Sequence, residues 1–225
     1  MSQPLDSMFT SFAHKTMLRF YLLMLAATAT AVLFIDRPLS TLLYDNPFKG
    51  SFLKLLSQTP LALQILAVAC ALLLTLKAYR EKLLPLVKHL ILTALLASLF
   101  RWAGKLIFGR TWPETWVDNN PSWIHSHVEA FHPFAAGPAY NAFPSGHTLF
   151  TVALACCFWH HFPQYRIYWS IGIAAVFLGQ LGQNYHFLGD TLAGATLGVL
   201  ACHLSYLILK SLSPNHHNSG DGDKQ

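Results

Sequence analysis

Long apolar stretches dominate this chain and restrict it to folds that belong in a lipid bilayer. Hydrophobic residues make up 53% of the 225 residues, charged residues only 11%, and the mean hydropathy is +0.39. A soluble domain usually carries about twice that share of charge. Several stretches approach the roughly 20 apolar residues that a helix needs to cross a bilayer. The sequence therefore predicts an integral membrane protein of the all-α class.

Six membrane spans are predicted from the apolar stretches. They cover residues 17–35, 61–76, 86–103, 145–159, 167–181 and 188–209. Residues 36–38, Asp-Arg-Pro, are expected to end the first span, and residues 36–60 mix polar and apolar positions as an interfacial segment does. With a long polar and aromatic loop at 111–143, these features predict a six-span transmembrane helix bundle with an interfacial segment and a long outer loop.

The chain is predicted to form one membrane domain, residues 1–214, with its motif core at 101–194. Residues 215–225 are polar and predict a disordered tail. The first apolar stretch lacks a small-residue cleavage site, so we expect a retained span and not a cleaved signal. The cysteines lie inside apolar stretches without the spacing of metal ligands, which predicts small buried side chains: Cys70, Cys156, Cys157 and Cys202.

The distribution of lysine and arginine predicts the orientation of the spans. With six spans, most basic residues fall on one side, which the positive-inside rule assigns to the cytoplasm together with both termini. The net charge of +5 reflects this bias, and no basic run interleaved with aromatic residues points to nucleic acid. The polar residues at the opposite span ends then gather on one outer face. We expect a bacterial inner-membrane protein with its site on the periplasmic face.

Two histidines at the starts of predicted apolar helices suggest phosphoryl chemistry. His147 ends the sequence Pro-Ser-Gly-His, just where free N–H groups at a helix start favour an anion. His186 and Asp190 are four positions apart and share a face if they lie on one helix. A carboxylate at one imidazole nitrogen fixes the tautomer and leaves the other nitrogen free to attack. The two imidazoles are therefore candidates to flank one phosphate as nucleophile and acid.

Further groups on the same predicted face complete a candidate phosphate site. Lys105 and Arg110 supply positive charge for the phosphoryl oxygens, and Ser145 and the Gly146 backbone supply hydrogen-bond donors. Simpler roles remain open. Ser145 is a typical N-cap, and a histidine at a helix start is often a capping or interfacial residue. Lysine and arginine at a span end can snorkel. Asp190 suits a helix dipole, but an acid within an apolar stretch is costly, which favours a functional role.

The ordered set of motifs resembles the type 2 phosphatidic acid phosphatase superfamily, the membrane branch related to vanadium haloperoxidases. The family motif Pro-Ser-Gly-His matches in full at 144–147. The catalytic half of the third family motif matches at His186 and Asp190, and the first motif matches at Lys105 and Pro113. The similarity is close over residues 105–190, and the six-span plan extends it over most of the chain.

Two positions depart from the family pattern. The arginine of the first family motif corresponds to Trp112, and the Ser-Arg of the third corresponds to Gly179 and Gln180. Gln180 donates hydrogen bonds without charge, so the planar bidentate recognition of phosphate by arginine is weakened. Arg110, two residues before Trp112, is predicted to take over the missing contact.

The resemblance implies a membrane lipid phosphatase that hydrolyses a phosphomonoester or diphosphate headgroup without a metal or other cofactor. His186 is the implied nucleophile that forms a phosphohistidine, Asp190 orients it, and His147 serves as acid and then as base. The implied phosphate-binding residues are Lys105, Arg110, Ser145, Gly146 and Gln180. The implied partners are the bilayer and a lipid phosphate, with phosphatidylglycerol phosphate, undecaprenyl diphosphate, phosphatidic acid and lipid A phosphates as candidates.

Two other functions remain open at this level. A lipid phosphotransferase would use the same histidine and pass the phosphoryl group to a second lipid. A non-catalytic family member that binds a phospholipid is favoured by Trp112 and Gln180 and opposed by the intact histidines and Asp190. A soluble haloperoxidase is excluded by the predicted spans.

Overall fold

The computed structural model describes residues 14–46, 49–116 and 119–212, and these ranges are helical with connecting turns and loops. The α-helices are α1 His14–Thr30, α2 Asp36–Asp45, α3 Ser51–Ser57, α4 Thr59–Leu73, α5 Lys77–Phe108, α6 Trp123–Ser126, α7 Gly146–His161, α8 Arg166–Gly182 and α9 Leu188–Leu212. Over the described ranges, β-pairing is limited to isolated bridges in the loop between α5 and α7. The all-α prediction is confirmed, whereas the predicted tail at 215–225 lies outside the described residues.

The first membrane helix continues past its predicted end. A π-helical segment, Ala31–Ile35, joins α1 to α2 in one helix of 31 residues, Lys15–Asp45. The N–H of Asp36 donates to the carbonyl of Ala31, five residues back, which is the π pattern. Pro38 follows soon after this segment. A proline interrupts the regular hydrogen bonds of an α-helix, and here the π segment has already shifted that pattern before Pro38 is reached. The prediction that residues 36–38 end the first helix is wrong, whereas the interfacial position of residues 36–60 stays a prediction.

Six spans are not confirmed. Among the described residues, three helices are long and apolar enough to cross a bilayer, Lys15–Asp45, Lys77–Phe108 and Leu188–Leu212. The pair α3 and α4 adds a fourth span if the two helices, bent by 45° at their junction, count as one. Helices α7 and α8 are apolar but have 16 and 17 residues. A helix of 16 residues rises about 24 Å, short of the hydrocarbon core of about 30 Å.

Large apolar side chains cover the outer surfaces of the long helices. Leu23 and Phe34 on the first helix are 70% and 72% exposed, and Ile65 on α4 is 62% exposed. Exposed apolar faces of this extent are expected to contact lipid and not water. Apolar side chains form no hydrogen bonds, and the hydrocarbon chains of lipids offer them an equally apolar surrounding. Together with the helix lengths, they indicate an integral membrane protein.

Helix α7 lies at the centre of the bundle. Its residues from Thr148 to Phe158 are buried almost without interruption, as expected for a helix that is apolar on all sides. It packs against α4, α5, α8 and α9. All four cysteines are free and buried, which confirms their predicted role as small core side chains.

Two glycines bring α9 unusually close to α7. A Cβ atom on Gly194 would lie 2.5 Å from the Ser145 carbonyl oxygen, and one on Gly198 would lie 2.6 Å from that of Leu149. Small residues four positions apart allow two helix backbones to approach in this way. The contact continues at the helix starts, where the Ser145 N–H donates to the Asp190 carbonyl over 3.0 Å. The first turns of α7 and α9 are therefore fixed against each other.

Candidate active site

A cavity of about 650 Å³ opens at the end of the bundle where α5 ends and α7 begins. It brings together several of the residues predicted from the sequence with others that the prediction missed. Its polar and aromatic lining includes Arg101, Lys105, Trp112, Gly146, His147, Gln180 and His186. Apolar side chains such as Leu61 and Phe150 form the rest of the wall. The helix ends thus supply a charged pocket that borders on the apolar body of the bundle.

His147 reaches this cavity from the first turn of α7. Ser145 is the N-cap of that helix: its hydroxyl oxygen accepts a hydrogen bond from the Thr148 N–H at 3.4 Å and one from the Thr148 hydroxyl at 3.1 Å. Ser145 is fully buried and is not among the cavity-lining residues, so the structure shows it in the simpler of its two predicted roles. Gly146 does line the cavity, next to His147.

His186 lies just before α9, with Asp190 directly behind it. The Nδ1 atom of His186 is 3.4 Å from Oδ2 of Asp190, and the same oxygen accepts a hydrogen bond from the Phe187 N–H at 3.0 Å. Because Nδ1 faces the carboxylate, Nε2 is the nitrogen left for chemistry in the cavity. The predicted pairing of this histidine with this acid is therefore present in the geometry.

The environment of His186 keeps its imidazole neutral. Burial lowers the pKa of His186 below the ordinary histidine value, and the nearby Lys105 cation lowers it further, against the opposing effect of Asp190. A neutral imidazole has a lone pair to donate, whereas an imidazolium has none. The site thus favours the nucleophilic form of His186.

Arg110 lies behind the cavity in a buried cluster of acids. Its guanidinium contacts Oδ1 of Asp190 at 2.7 Å, Oδ2 of Asp36 at 2.8 Å and Oε1 of Glu129 at 2.7 Å. Although burial opposes its charge, Asp190, Asp36 and Glu129 hold the pKa of Arg110 above its usual range. The side chain is fully buried and is not among the cavity-lining residues. This arrangement does not favour the predicted contact of Arg110 with substrate, because the N–H groups of the Arg110 guanidinium already donate to carboxylates.

Arg101 and Lys105 supply the cations that line the cavity. They lie one turn apart on α5 and therefore share a face. A Cβ atom on Gly146 would lie 3.0 Å from Nε of Arg101, so the guanidinium lies against the start of α7. Lys105 donates to the Asn141 carbonyl and lies 5.8 Å from the centre of the Trp112 ring. The sequence interpretation missed Arg101, although its four-residue spacing from Lys105 was the available signal.

The two departures from the family pattern have local explanations. The Trp112 ring lies 5.1 Å from the imidazole of His186, centre to centre, and its Nε1–H donates to the Pro138 carbonyl at 2.8 Å. A Cβ atom on Gly179 would lie 2.3 Å from the Ser57 backbone nitrogen, so a serine does not fit there. Gln180 donates to the Ser57 carbonyl at 3.3 Å. Its amide has a second N–H, and the side chain lines the cavity.

Two acids behind the site were also missed. Asp36 accepts a hydrogen bond from the Gly189 N–H at 2.8 Å, next to its ion pair with Arg110. Glu129 joins Arg110 to Arg37, whose guanidinium lies 2.8 Å from Oε2 of Glu129. The rule that singled out Asp190, an acid within an apolar stretch, applies equally to Asp36 once the helix is known to continue through it. Glu129 had no such signal, because it lies in the loop.

One expectation about metals needs correction. The sequence suggested no cluster of metal ligands, but the structure brings His89, His160 and His161 together at the far end of the bundle. His89 comes from α5 and the other two from the end of α7, so sequence spacing did not indicate the cluster.

Comparison with known proteins identifies the family of this chain. The sequence model of the PAP2 superfamily matches residues 82–213, more than half of the chain. The chain belongs to the PAP2 superfamily. The predicted resemblance is thereby confirmed. Membership of the PAP2 superfamily, with the long apolar helices, supports a phosphatase that is integral to a membrane.

The fold of this PAP2 protein is similar to one solved structure in particular. That structure is described as the first transmembrane PAP2 type phosphatidylglycerolphosphate phosphatase from Bacillus subtilis. The TM-score is 0.53 at 17% sequence identity, over 90% of this chain and 98% of that chain. At this identity the similarity shows a shared fold. No curated protein is significantly similar to the chain.

Proposed function

We propose that this PAP2 protein hydrolyses the phosphomonoester or diphosphate headgroup of a membrane lipid through a phosphohistidine on His186. One observation carries the proposal. His147 and His186 line a single cavity with Arg101 and Lys105, at the end of apolar helices. Two imidazoles and two cations around one space can supply the nucleophile, the acid and the charge stabilisation for transfer of a phosphoryl group.

The first chemical step forms the covalent intermediate. The lone pair on Nε2 of His186 attacks phosphorus, and the bond between phosphorus and the leaving oxygen breaks. His147, which takes up a proton as the anionic substrate binds, gives that proton to the leaving oxygen, so that the lipid leaves as an alcohol or a phosphomonoester. Asp190 stabilises the positive charge that develops on the His186 ring through Nδ1.

The second step returns the enzyme to its starting state. His147, now neutral, takes a proton from water, and the water oxygen attacks phosphorus. The bond between phosphorus and Nε2 of His186 breaks, inorganic phosphate leaves, and His147 is again protonated. No step needs a metal ion or another cofactor, so activity is expected to persist in the presence of a chelator.

The phosphoryl oxygens are bound by the cations of the cavity. Arg101 offers a planar guanidinium, Lys105 a point charge, and the Gly146 backbone a donor at the positive end of α7. Gln180 adds its remaining N–H, and Ser145 contributes by capping α7. Arg110 acts as a positioning residue: it fixes Asp190, which in turn orients His186.

The substrate is proposed to be a lipid because the charged cavity borders on apolar helices. Leu61 and Phe150 belong to its wall, where the chain of a lipid would leave the site for the bilayer. Phosphatidylglycerol phosphate is the first candidate, since the B. subtilis protein of similar fold is described as a phosphatase of that lipid. Undecaprenyl diphosphate, phosphatidic acid and lipid A phosphates are the others.

Phosphate release by the purified protein from these four lipids tests the proposal. We expect one lipid class to be cleaved in the presence of chelator. His186→Ala should abolish release, whereas His132→Ala, a change in the outer loop, should retain it. A labelled phosphate on the wild-type protein should be labile to acid and stable to base, as phosphohistidine is. Release by His186→Ala at the wild-type rate would remove His186 as the nucleophile.

The same assay separates hydrolysis from transfer. With a second lipid present as acceptor, a phosphatase still yields inorganic phosphate, whereas a phosphotransferase yields a phosphorylated acceptor at its expense. If no lipid is cleaved or phosphorylated while phospholipid still binds, the chain is a non-catalytic member of its superfamily.

A further inference from the structure

The far end of the bundle carries a second cluster of functional side chains. His89 lies on α5, and His160 and His161 are the last two residues of α7. From His89 to Lys105 the α5 helix rises about 24 Å at 1.5 Å per residue, so this cluster is separate from the candidate active site. The proposed hydrolysis makes no use of it.

We propose that His89, His160 and His161 form a binding site for a divalent transition metal of the Zn²⁺ type. One ring nitrogen from each histidine can be chosen so that all three lie within 4.8 Å of one another. Imidazole nitrogens are favoured ligands of zinc, copper and nickel. Three histidines and one water form a known tetrahedral zinc arrangement.

The hydrogen bonds of His89 leave the right nitrogen for a metal. Its Nε2 lies 3.1 Å from the Cys202 carbonyl oxygen. A carbonyl only accepts, so Nε2 carries the proton and Nδ1 of the neutral ring keeps its lone pair. Metal-binding histidines characteristically donate their other N–H to a carbonyl or carboxylate in this way.

The spacing of the first two ligands fits tetrahedral coordination. Nδ1 of His89 lies 3.2 Å from Nε2 of His161. Two nitrogens that each bind zinc at about 2.0–2.1 Å in a tetrahedron are about 3.4 Å apart. His160 adds the third ring, 4.9 Å from that of His161 between centres. Only small shifts of the side chains are needed to place one ion among the three.

The surroundings also suit a cation with an open fourth position. The three histidines line a cavity of about 580 Å³, which leaves room for a water ligand. His160 and His161 end α7, and the last carbonyls of a helix carry partial negative charge. Lys88 and Lys210 line the same cavity, and because their charges oppose a bound cation, the fourth ligand is expected to be anionic, such as hydroxide.

A competing set of ligands is less suitable. His89 also lies near Cys157 and Cys202, and these three could hold a metal through Nε2 of His89. That nitrogen is already paired with the Cys202 carbonyl, and Cys157 and Cys202 are buried and do not line the cavity that the three histidines share. Replacing a cysteine therefore distinguishes the two arrangements.

Direct metal binding tests the proposal without reference to phosphatase activity. The full chain is purified without a polyhistidine tag, and His216 and His217, outside the described residues, are replaced by glutamine. Equilibrium dialysis against Zn²⁺ should give about one ion per chain. His160→Gln and His161→Gln should each weaken binding by about tenfold or more, whereas Cys157→Ser and His132→Gln should not.

A second readout reports the geometry. Co²⁺ in place of Zn²⁺ should give the visible absorption bands of a tetrahedral site, and these should be lost in His161→Gln while size-exclusion elution stays that of the parent. The proposal is overturned if the folded parent takes up no stoichiometric Zn²⁺, if both histidine variants keep the parent affinity, or if Cys157→Ser is the change that removes binding.

Discussion

Arg110 is fully buried and contacts three carboxylates. Asp36 comes from the first helix, Glu129 from the loop and Asp190 from α9, so one guanidinium links three separate parts of the chain. Isolated buried charges are very costly, and Asp36 and Asp190 depend on Arg110 for compensation, whereas Glu129 also pairs with Arg37.

Loss of Arg110 should therefore destabilise the whole protein. We expect Arg110→Met to cost about 3–5 kcal/mol, because it leaves the buried carboxylates of Asp36 and Asp190 without the cation that pairs with them. Arg37→Met is the matched control, since Arg37 also pairs with Glu129 but its side chain is 54% exposed. Thermal unfolding in detergent measures both. Equal small shifts would mean that the acids are protonated and do not need Arg110.

Arg101 and Arg110 should affect catalysis differently. Arg101→Ala should raise KM by about tenfold or more, because it removes a charge-assisted hydrogen bond of about 1.5–3 kcal/mol to the phosphoryl group. A mild change at the other position, Arg110→Lys, should lower kcat more than it raises KM, because the effect reaches substrate only through Asp190. Arg166→Ala, in the turn before α8, is the control. The reverse pattern would restore the sequence prediction that Arg110 binds phosphate.

The lowered pKa of His186 predicts how kcat/KM depends on pH. Attack requires neutral His186, so kcat/KM should rise through its pKa, and the acid limb should lie below the ordinary histidine value of about 6.5. Lys105→Gln should move this limb to higher pH, because the Lys105 cation lowers the pKa of His186. Lys82→Gln, at the start of α5, should leave it in place. A wild-type limb at or above the ordinary value would contradict the neutral nucleophile.

The sequence predicted the residues that act on substrate better than those that support them. His147, His186 and Lys105 were identified because their types and spacing are tied to the chemistry. Arg101 and Asp36 were missed because their roles depend on which helix faces meet, and no local pattern specifies that. Arg110 was identified as important, but its charge faces the acids behind the site and not the cavity.

At the scale of helices, the contact between α7 and α9 determines how the two histidines are placed. His147 begins one helix, and Asp190, which contacts His186, lies in the first turn of the other. Gly194 and Gly198 let these helices approach until a side chain at either position would meet backbone.

Adding one methyl group at this contact should be costly. Gly194→Ala should destabilise the protein by about 1–3 kcal/mol through overpacking, because its Cβ would lie 2.5 Å from the Ser145 carbonyl oxygen. Gly172→Ala on α8 is the matched control, since its Cβ would meet only the Thr59 methyl at 3.6 Å. Thermal unfolding should show a lower midpoint for the first variant alone. Equal midpoints would mean that α7 and α9 can separate without loss.

The helices themselves were predictable only in part. Apolar length identified all the long helices, because the bilayer imposes that length. The ends of these helices were harder to predict. Residues 36–38 look like a helix terminus, yet the helix continues from the π segment through Pro38. The short lengths of α7 and α8 follow from the turn at Pro163–Tyr165, which local sequence does indicate.

At the scale of the whole molecule, the membrane topology depends on whether α7 and α8 cross the bilayer. We propose that they do, with both termini in the cytoplasm and the cavity on the periplasmic face of a bacterial inner membrane. Helix α7 then crosses at the tightly packed centre of the bundle, whereas α8 crosses at its surface, where Ile167 and Tyr168 are each 67% exposed.

Reporter fusions at the turn Pro163–Tyr165 decide this topology. A green fluorescent protein inserted there should fluoresce, since that turn is cytoplasmic only if α7 crosses the membrane. Alkaline phosphatase inserted in the loop near residue 132 should be active in the periplasm. Fusions in the turn between α4 and α5 are the cytoplasmic control. An active alkaline phosphatase at Pro163–Tyr165 would show that α7 and α8 do not cross.

The ion pair between Asp36 and Arg110 also limits how far this protein can be shortened. The superfamily match starts at residue 82, so the segment upstream of it looks dispensable by sequence comparison. Asp36 nevertheless touches both Arg110 and the Gly189 N–H, immediately beside His186. A truncated version that begins at residue 82, or a chimera with a foreign leading helix, would keep every family motif and still lose the support that aims its nucleophile.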